Sequence, residues 1–331
     1  MTILLAKNNV KEDIEMRNVY CQALMELARK NDQIVVLDAD LMSSMGMIPF
    51  LEAFPERTFN CGIQEANMIG VAAGLSTTGK IPYAHTFGPF ATRRCYDQIF
   101  LSGAYTKSNI RIIGSDPGIT AAYNGGTHMP LEDMGIMRNI PEMTVLEITD
   151  SVMLRDIIIQ MAELYGMFYV RLLRKNAVKV YEEGSTFKIG KAVKLKDGKD
   201  VTIIANGIMV SEALKAAYIL EEKRISTRIL DMFTLKPIDK EAIIVSAKET
   251  GAIVTVENHN IINGLGSAIA EVLVENIPIP MERIGVKDMF GEVGSVDYLK
   301  ERFELTANDI VKKVEKVLKR KQDMALFLQG A

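Results

Sequence analysis

The chain has no tryptophan, only three cysteines and only three histidines among its 331 residues. Cys21, Cys61 and Cys95 lie far apart, without the paired spacing of a zinc site or a disulfide framework. A reducing compartment, the cytoplasm, is therefore expected. No apolar run approaches the roughly 18 residues of a membrane helix. Met1 to Lys11 carries neither the apolar core nor the cleavage-type ending of a secretory signal. A basic excess is also missing: the net charge of -3 argues against a nucleic-acid partner. Repeats and low-complexity tracts are absent. What remains is 48% hydrophobic and 24% charged, the balance of a globular protein. At 331 residues it is too long for one comfortable core, so two domains are expected.

Short β-branched runs alternate with helical patterns. Ile34 to Leu37, Ile81 to Ala84, Ile110 to Ile113, Thr144 to Ile148 and Phe168 to Leu172 read as strands. Helices are expected around Val19 to Ala28, Tyr96 to Phe100 and Ser151 to Glu163, the last capped by Asp150 or Ser151. Between Lys175 and Asp200 the composition turns to Lys, Glu, Gly and Asp, which places a boundary near residue 185. The pattern then restarts, with strands at Val201 to Ile204, Thr227 to Leu230 and Ile253 to Val256. Helices follow at Ser211 to Glu222 and Gly264 to Asn276. The expected fold is α/β, with domains at 1–185 and 186–331, each a mainly parallel sheet flanked by helices. The last helix, Asn308 to Lys321, is basic on one face and reads as a solvated terminal helix.

The most informative stretch runs from Cys61-Gly62-Ile63-Gln64-Glu65 into Ala66 to Leu75. It sets one carboxylate, Glu65, at the mouth of a small-residue apolar helix that is expected to be buried. A buried carboxylate costs several kcal/mol unless paired or protonated, and chains keep such groups where chemistry needs them. The plain alternative is a first-turn acid favoured by the helix dipole. Four other stretches stand out. Asp38-Ala39-Asp40 to Ser44 follows a strand end, where open parallel sheets bind ligands; many such loops are simple polar connections. Phe87-Gly88-Pro89-Phe90 sets two rings three apart, either core or a flat wall for a heterocycle. Asp116 to Pro130, with Asn124 and His128, is a long glycine-rich loop of the kind that tends to be functional. Gly264 to Ile269 imitates a dinucleotide fingerprint but has Ile at the third glycine position, so a tight turn into a helix is the better reading. Arg17, Arg93, Arg94, Arg171 and Arg174 are candidate anion binders.

Taken in order, these stretches resemble one family, the transketolases. The Glu65 segment looks like the glutamate motif of thiamine-diphosphate enzymes. Ala39-Asp40-Leu41 with Ser44, Thr86 to Phe90 leading to Tyr96-Asp97-Gln98, and Gly125 to Glu132 occur in family order. So do Asp231 to Pro237 and Val256-Glu257-Asn258-His259. The family enzyme has three domains, of which the first grips diphosphate through magnesium with a Gly-Asp-Gly run. This sequence has no Gly-Asp-Gly, and resembles the pyrimidine-binding and C-terminal domains alone. The resemblance implies a split enzyme. An N-terminal subunit would hold most of the diphosphate and Mg2+, and two of each chain would assemble.

It also implies roles. Glu65 hydrogen-bonds a ring nitrogen of the aminopyrimidine and favours its imino form, and Phe87 and Phe90 wall the ring. Asp40 braces the cofactor site. Arg17, Ser44 and Arg174 meet a substrate phosphate, while His128 stands near the sugar. A two-carbon ketol unit would pass from a ketose phosphate to an aldose phosphate, and no metal ligand is expected in this chain. Asp116 and Asn124 stand where many transketolases have a histidine and an aspartate at the substrate, so an unusual ketose is implied. Related layouts are deoxyxylulose-phosphate synthase, the β-subunit of oxo-acid dehydrogenases and a non-catalytic α/β scaffold.

Overall fold

The structure is a computed structural model that describes residues 1–330. Ala331, the last residue of the expected second domain, lies outside the described residues. Among the described residues twelve strands form in chain order: β1 (Ile34–Asp38), β2 (Thr58–Asn60), β3 (Ile81–Phe87), β4 (Ile110–Ser115), β5 (Thr144–Glu147) and β6 (Met167–Leu172). The second half supplies β7 (Val193–Lys196), β8 (Val201–Ala205), β9 (Thr227–Asp231), β10 (Thr234–Lys236), β11 (Ile253–Asn260) and β12 (Met281–Val286).

These strands make two sheets. One has seven strands in the order β10-β5-β6-β4-β3-β1-β2, the other five in the order β12-β11-β8-β9-β7. Pairing is parallel throughout except at one edge of each, β10 on β5 and β7 on β9. Every residue of β1, β4, β6, β8 and β9 is buried. Helices cover both faces of such a sheet, which is why these strands are largely apolar rather than alternating, their few charged residues being buried as well. The expected α/β architecture is therefore present. The seven-stranded sheet takes its edge strand β10 from the second half of the chain, a three-residue strand with no apolar pattern to announce it.

Two sequence expectations change. The basic terminal helix, Ala307–Gly330, is not simply solvated. Ile310, Val314 and Val317 are buried, while Lys313, Lys316 and Arg320 converge on Glu282 at 3.2, 3.0 and 2.7 Å. The helix Glu65–Thr77 is buried on one face only. Met68, Ile69 and Ala72 are fully covered, but Asn67, Gly70, Gly74 and Thr77 are exposed, and a Cβ at 70 or 74 would meet nothing within 4 Å. No helix among the described residues is long and apolar enough to cross a membrane.

In the first sheet the chain leaves β1 for β2 on one side, then returns to place β3 on the other. The order reverses there. The loops beyond the carboxyl ends of β1, β3 and β4 open into the resulting crevice, the usual place for a ligand in an open α/β sheet.

Candidate active site

Glu65 is placed by a turn. The side-chain oxygen of Asn60 accepts hydrogen bonds from the backbone N–H of Gly62 (2.9 Å) and of Asp40 (3.1 Å). Gly62 sits at φ +69°, a left-handed conformation that glycine adopts without strain. The chain then enters the helix with Glu65 as its first residue. The side chain is 2% exposed and accepts a hydrogen bond from Arg94 Nη1 at 2.7 Å. Burial, and then the nearby Glu65 carboxylate, push the thiol of Cys95 up to about 12.

The rings of Phe87, Phe90 and His128 form a triangle beside this pair. Their centroids lie 6.0 Å apart for Phe87–Phe90, 5.7 Å for Phe87–His128 and 5.2 Å for Phe90–His128. The helix turn Gly88–Ala91 carries Phe90 back toward Phe87 at the end of β3. Gly88 is required here, because a Cβ at that position would come within 2.6 Å of Pro130. Thr127 Oγ1 lies 2.9 Å from His128 Nδ1 and fixes the imidazole. The Arg94 guanidinium sits 3.7 Å over the Phe90 ring, and that of Arg174 4.7 Å over Phe87.

Arg174 leads to a second cluster. Its Nε lies 2.6 Å from Asp116 Oδ2, and its Nη1 donates to the Ser44 carbonyl at 3.4 Å. Arg17 donates to the same carbonyl at 2.9 Å and pairs with Glu15 at 2.6 Å. Asp116 is buried at φ +58°, at the end of β4. Burial pushes its carboxyl up, against the pull of the Arg174 guanidinium. The structure thus joins Glu65, Arg94, Phe90, His128, Phe87, Arg174, Asp116, Ser44 and Arg17 in one continuous string of contacts. Asp40 and Asn124 are exposed and stand outside it. Asp40, at φ +65°, is tied instead to the Asn60 side chain.

The second half of the chain anchors the loop that bears Asp116. Asn258, at the end of β11, donates from Nδ2 to the Pro117 carbonyl (2.8 Å) and accepts the Ile119 N–H at Oδ1 (2.9 Å). Gly118, at φ +49°, packs so closely that a Cβ would lie 2.2 Å from Asn258 Oδ1. Arg171 binds no substrate anion as the sequence proposed. It is fully buried between Asp133 (2.8 Å) and Glu147 (3.0 Å), and donates to the Asn258 and Pro130 carbonyls. Arg93 is likewise taken by Glu132 at 2.6 Å. In the fingerprint-like turn the Glu257 carboxylate accepts the N–H groups of Leu265 (2.6 Å) and Gly266 (2.9 Å). A carboxylate of the chain itself therefore sits where a phosphate would, and burial pushes it up to about 8.

Sequence reading missed the pairing partners. Of these only Glu15, two residues before Arg17, carried a local signal, the close spacing of opposite charges. The Asp38–His85 pair, 2.9 Å and fully buried beneath the loop after β1, and the Asn258 clamp join residues too distant in sequence to be seen. Chemically, the buried carboxylate with an aromatic wall suits the edge and face of a planar nitrogen heterocycle, such as an aminopyrimidine. Among the described residues no group of three or more His, Cys, Asp or Glu side chains is placed to hold a metal ion.

Comparison with known proteins matches residues 12–179 to the transketolase pyrimidine-binding domain and residues 190–310 to the transketolase C-terminal domain. The chain is 52% identical to the 6-deoxy-6-sulfo-D-fructose transketolase subunit SqwH of Clostridium sp. strain MSTE9, over 94% of this chain and 96% of that one. It is 34% identical to human transketolase, over 85% of this chain but 46% of that protein. Among solved structures it superposes on a split gene transketolase, an inactive β4 tetramer, with a TM-score of 0.87 and 47% identity, covering 93% of this chain and 99% of that one. This chain belongs to the transketolase family, of which it carries the pyrimidine-binding and C-terminal domains as a split subunit.

Proposed function

We propose that this chain works with an N-terminal partner subunit as a thiamine-diphosphate-dependent transketolase, moving a two-carbon ketol unit from a ketose with an anionic tail to an aldehyde. The observation that carries the reading is the buried Glu65 carboxylate opening onto the wall of Phe90, Phe87 and His128, which leads on to the arginines around Ser44. The residues fit the pyrimidine end of the cofactor. When bound, thiamine diphosphate supplies an electron sink for the two-carbon fragment. The chain's own groups do the rest. Glu65, buried at the head of its helix, hydrogen-bonds a ring nitrogen of the pyrimidine. Phe87 and Phe90 cover the ring and exclude water.

Thr127 engages His128 Nδ1, which leaves Nε2 for a substrate hydroxyl. Arg17 and Arg174 bind the anionic tail with their remaining N–H groups, where guanidinium geometry suits an oxyanion. Asp116 and Asn124 serve the sugar hydroxyls, and Asp40 stiffens the Glu65 turn through Asn60. The name of the Clostridium relative, which acts on a sulfo-ketose, supports an anion-tailed donor. We assign residues 1–185 to the pyrimidine-binding domain and 186–331 to the C-terminal domain.

Mg2+ and the diphosphate fall to the partner subunit. This chain aligns with under half of human transketolase, which supports that division. The exposed Asn67–Gly70–Gly74 face supports close helix packing against another chain in a two-plus-two assembly. Three free cysteines agree with a cytoplasmic setting. The test is to co-purify the chain with its partner and supply thiamine diphosphate and Mg2+. Ketol transfer should then be followed from ketoses ending in phosphate, in sulfonate or in a plain hydroxyl. Turnover of an anion-tailed ketose is expected. Decarboxylation of pyruvate instead would overturn the reading in favour of a deoxyxylulose-phosphate-synthase-like reaction, and lack of cofactor binding would reduce the chain to a scaffold.

A further inference from the structure

The guanidinium of Arg94 stands where the cofactor reading needs a ring. It donates to Glu65 Oε1 at 2.7 Å and lies 3.7 Å over the face of Phe90. A guanidinium is flat, carries N–H donors along its edge and stacks on aromatic faces. Those are also the features by which an aminopyrimidine would engage a carboxylate and a phenyl wall. Both contacts are made by one side chain, at the two residues assigned to the ring.

Exposure is asymmetric. The Glu65 carboxylate is 2% exposed, whereas the Arg94 side chain is 43% exposed. The acid is fixed in place, and the cation has a route out. Arg94 lies in a three-residue turn, Arg93–Cys95, between short helical segments, and its neighbour Arg93 is already committed to Glu132 and the Thr127 carbonyl. A carboxylate buried without a partner is costly, so in the uncombined chain Arg94 supplies the charge that keeps Glu65 tolerable.

We propose that Arg94 is an internal stand-in for the aminopyrimidine: its guanidinium occupies the Glu65–Phe90 seat until the cofactor displaces it. This rests on the transketolase reading and goes beyond it. Loading then competes with an internal ion pair, and the apparent affinity is lowered by the fraction of time the seat is filled.

The test is calorimetric titration of thiamine diphosphate, with Mg2+, into the two-subunit complex, for wild type, Arg94→Ala and Arg94→Lys. Thermal melting of this chain alone is measured alongside. Arg94→Ala should tighten the apparent Kd by about three- to tenfold, the range for losing a partly exposed ion-pair competitor. It should also lower the melting temperature of the lone chain, because Glu65 loses its counter-charge. Arg94→Lys, which keeps charge but not the flat stack, should lie between. An unchanged or weaker Kd in both variants, with the wild type binding normally, overturns the stand-in and leaves the transketolase reading intact. A wild-type complex that binds no cofactor at all overturns both. Should Arg94→Ala fail to fold, the Lys variant decides alone by the direction of its Kd shift.

Discussion

Replacing Asn258 by Ala should separate the substrate loop from the rest of the site. Asn258 is fully buried, and its amide makes two hydrogen bonds across the seam between the sheets, to the Pro117 carbonyl at 2.8 Å and from the Ile119 N–H at 2.9 Å. Alanine removes both partners at once and leaves one backbone donor and one acceptor stranded. Each orphaned buried group costs about 1–3 kcal/mol, so roughly 2–6 kcal/mol should be lost. That is a large share of the 5–15 kcal/mol by which folded proteins are typically stable. The chain has no tryptophan, so urea unfolding should be followed by far-UV circular dichroism. Function should respond selectively. The loop holds Asp116 at 2.6 Å from Arg174, while the Glu65–Arg94 pair hangs on different elements. The ketose KM of the complex should rise, with the cofactor Kd unchanged. Asn258→Asp, which keeps the acceptor for Ile119, should fall between. A loss under about 1 kcal/mol for Asn258→Ala would refute the reasoning, because the two stranded groups would then have found other partners.

Glu65→Gln in the complete complex should lose at least about a hundredfold in turnover, the low end for a group that handles a proton; near-normal rates in ketol transfer reject its role. Gly74→Leu adds bulk where nothing lies within 4 Å, so the lone chain should melt as before while light scattering shows the assembly lost; intact assembly would clear that helix face of any interface. Burial pushes His259 down to about 4 from 6.5. The unfolded chain then binds the extra proton between those values, so this residue's contribution is complete above pH 6.5 and is lost as pH falls toward 4. By NMR, the His259 imidazole should stay neutral through pH 5, and a midpoint near 6.5 for it would contradict the burial argument.

The strands that the sequence announced, β1, β3, β4, β5, β6, β8, β9 and β11, are those whose β-branched or aromatic residues form short, largely buried runs. The three-residue strands β2 and β10 stayed hidden, since their pairing is fixed by neighbours rather than by any local pattern. Asp150 was legible as a helix cap because its Oδ1 receives the N–H of Met153 three residues on, a purely local relation. Glu65 was legible as a carboxylate out of place in apolar company. Its partner Arg94 appeared only as one cation among five, because the residues between them carry the chain from the first helical turn through β3 and back. Arg171 misled for the opposite reason. An arginine at a strand end looks available for a ligand until the fold brings Asp133 and Glu147 to either side of it.

Charge within the site is balanced pair by pair, and that bears on how a substrate anion is held. Arg17 faces Glu15 and Arg174 faces Asp116, both at 2.6 Å, while Arg94 faces Glu65 at 2.7 Å and Arg93 faces Glu132 at 2.6 Å. From sequence, an acid at position 116 stands in the way of an anionic tail. In the fold it is one half of a neutral pair, so an approaching anion feels a dipole rather than a bare negative charge, and the two contributions at similar distance largely cancel. Attraction must then come from directed N–H groups. Arg17 and Arg174 each direct Nε at their acid and Nη1 at the Ser44 carbonyl, which leaves their Nη2 groups for the proposed anionic tail. Recognition by hydrogen-bond direction is screened by salt far less than recognition by net charge. The ketose KM of the assembled enzyme should therefore change less than about threefold between 0.05 and 0.3 M salt. A steep rise over that interval would mean that the acids do not stay on their arginines when substrate arrives.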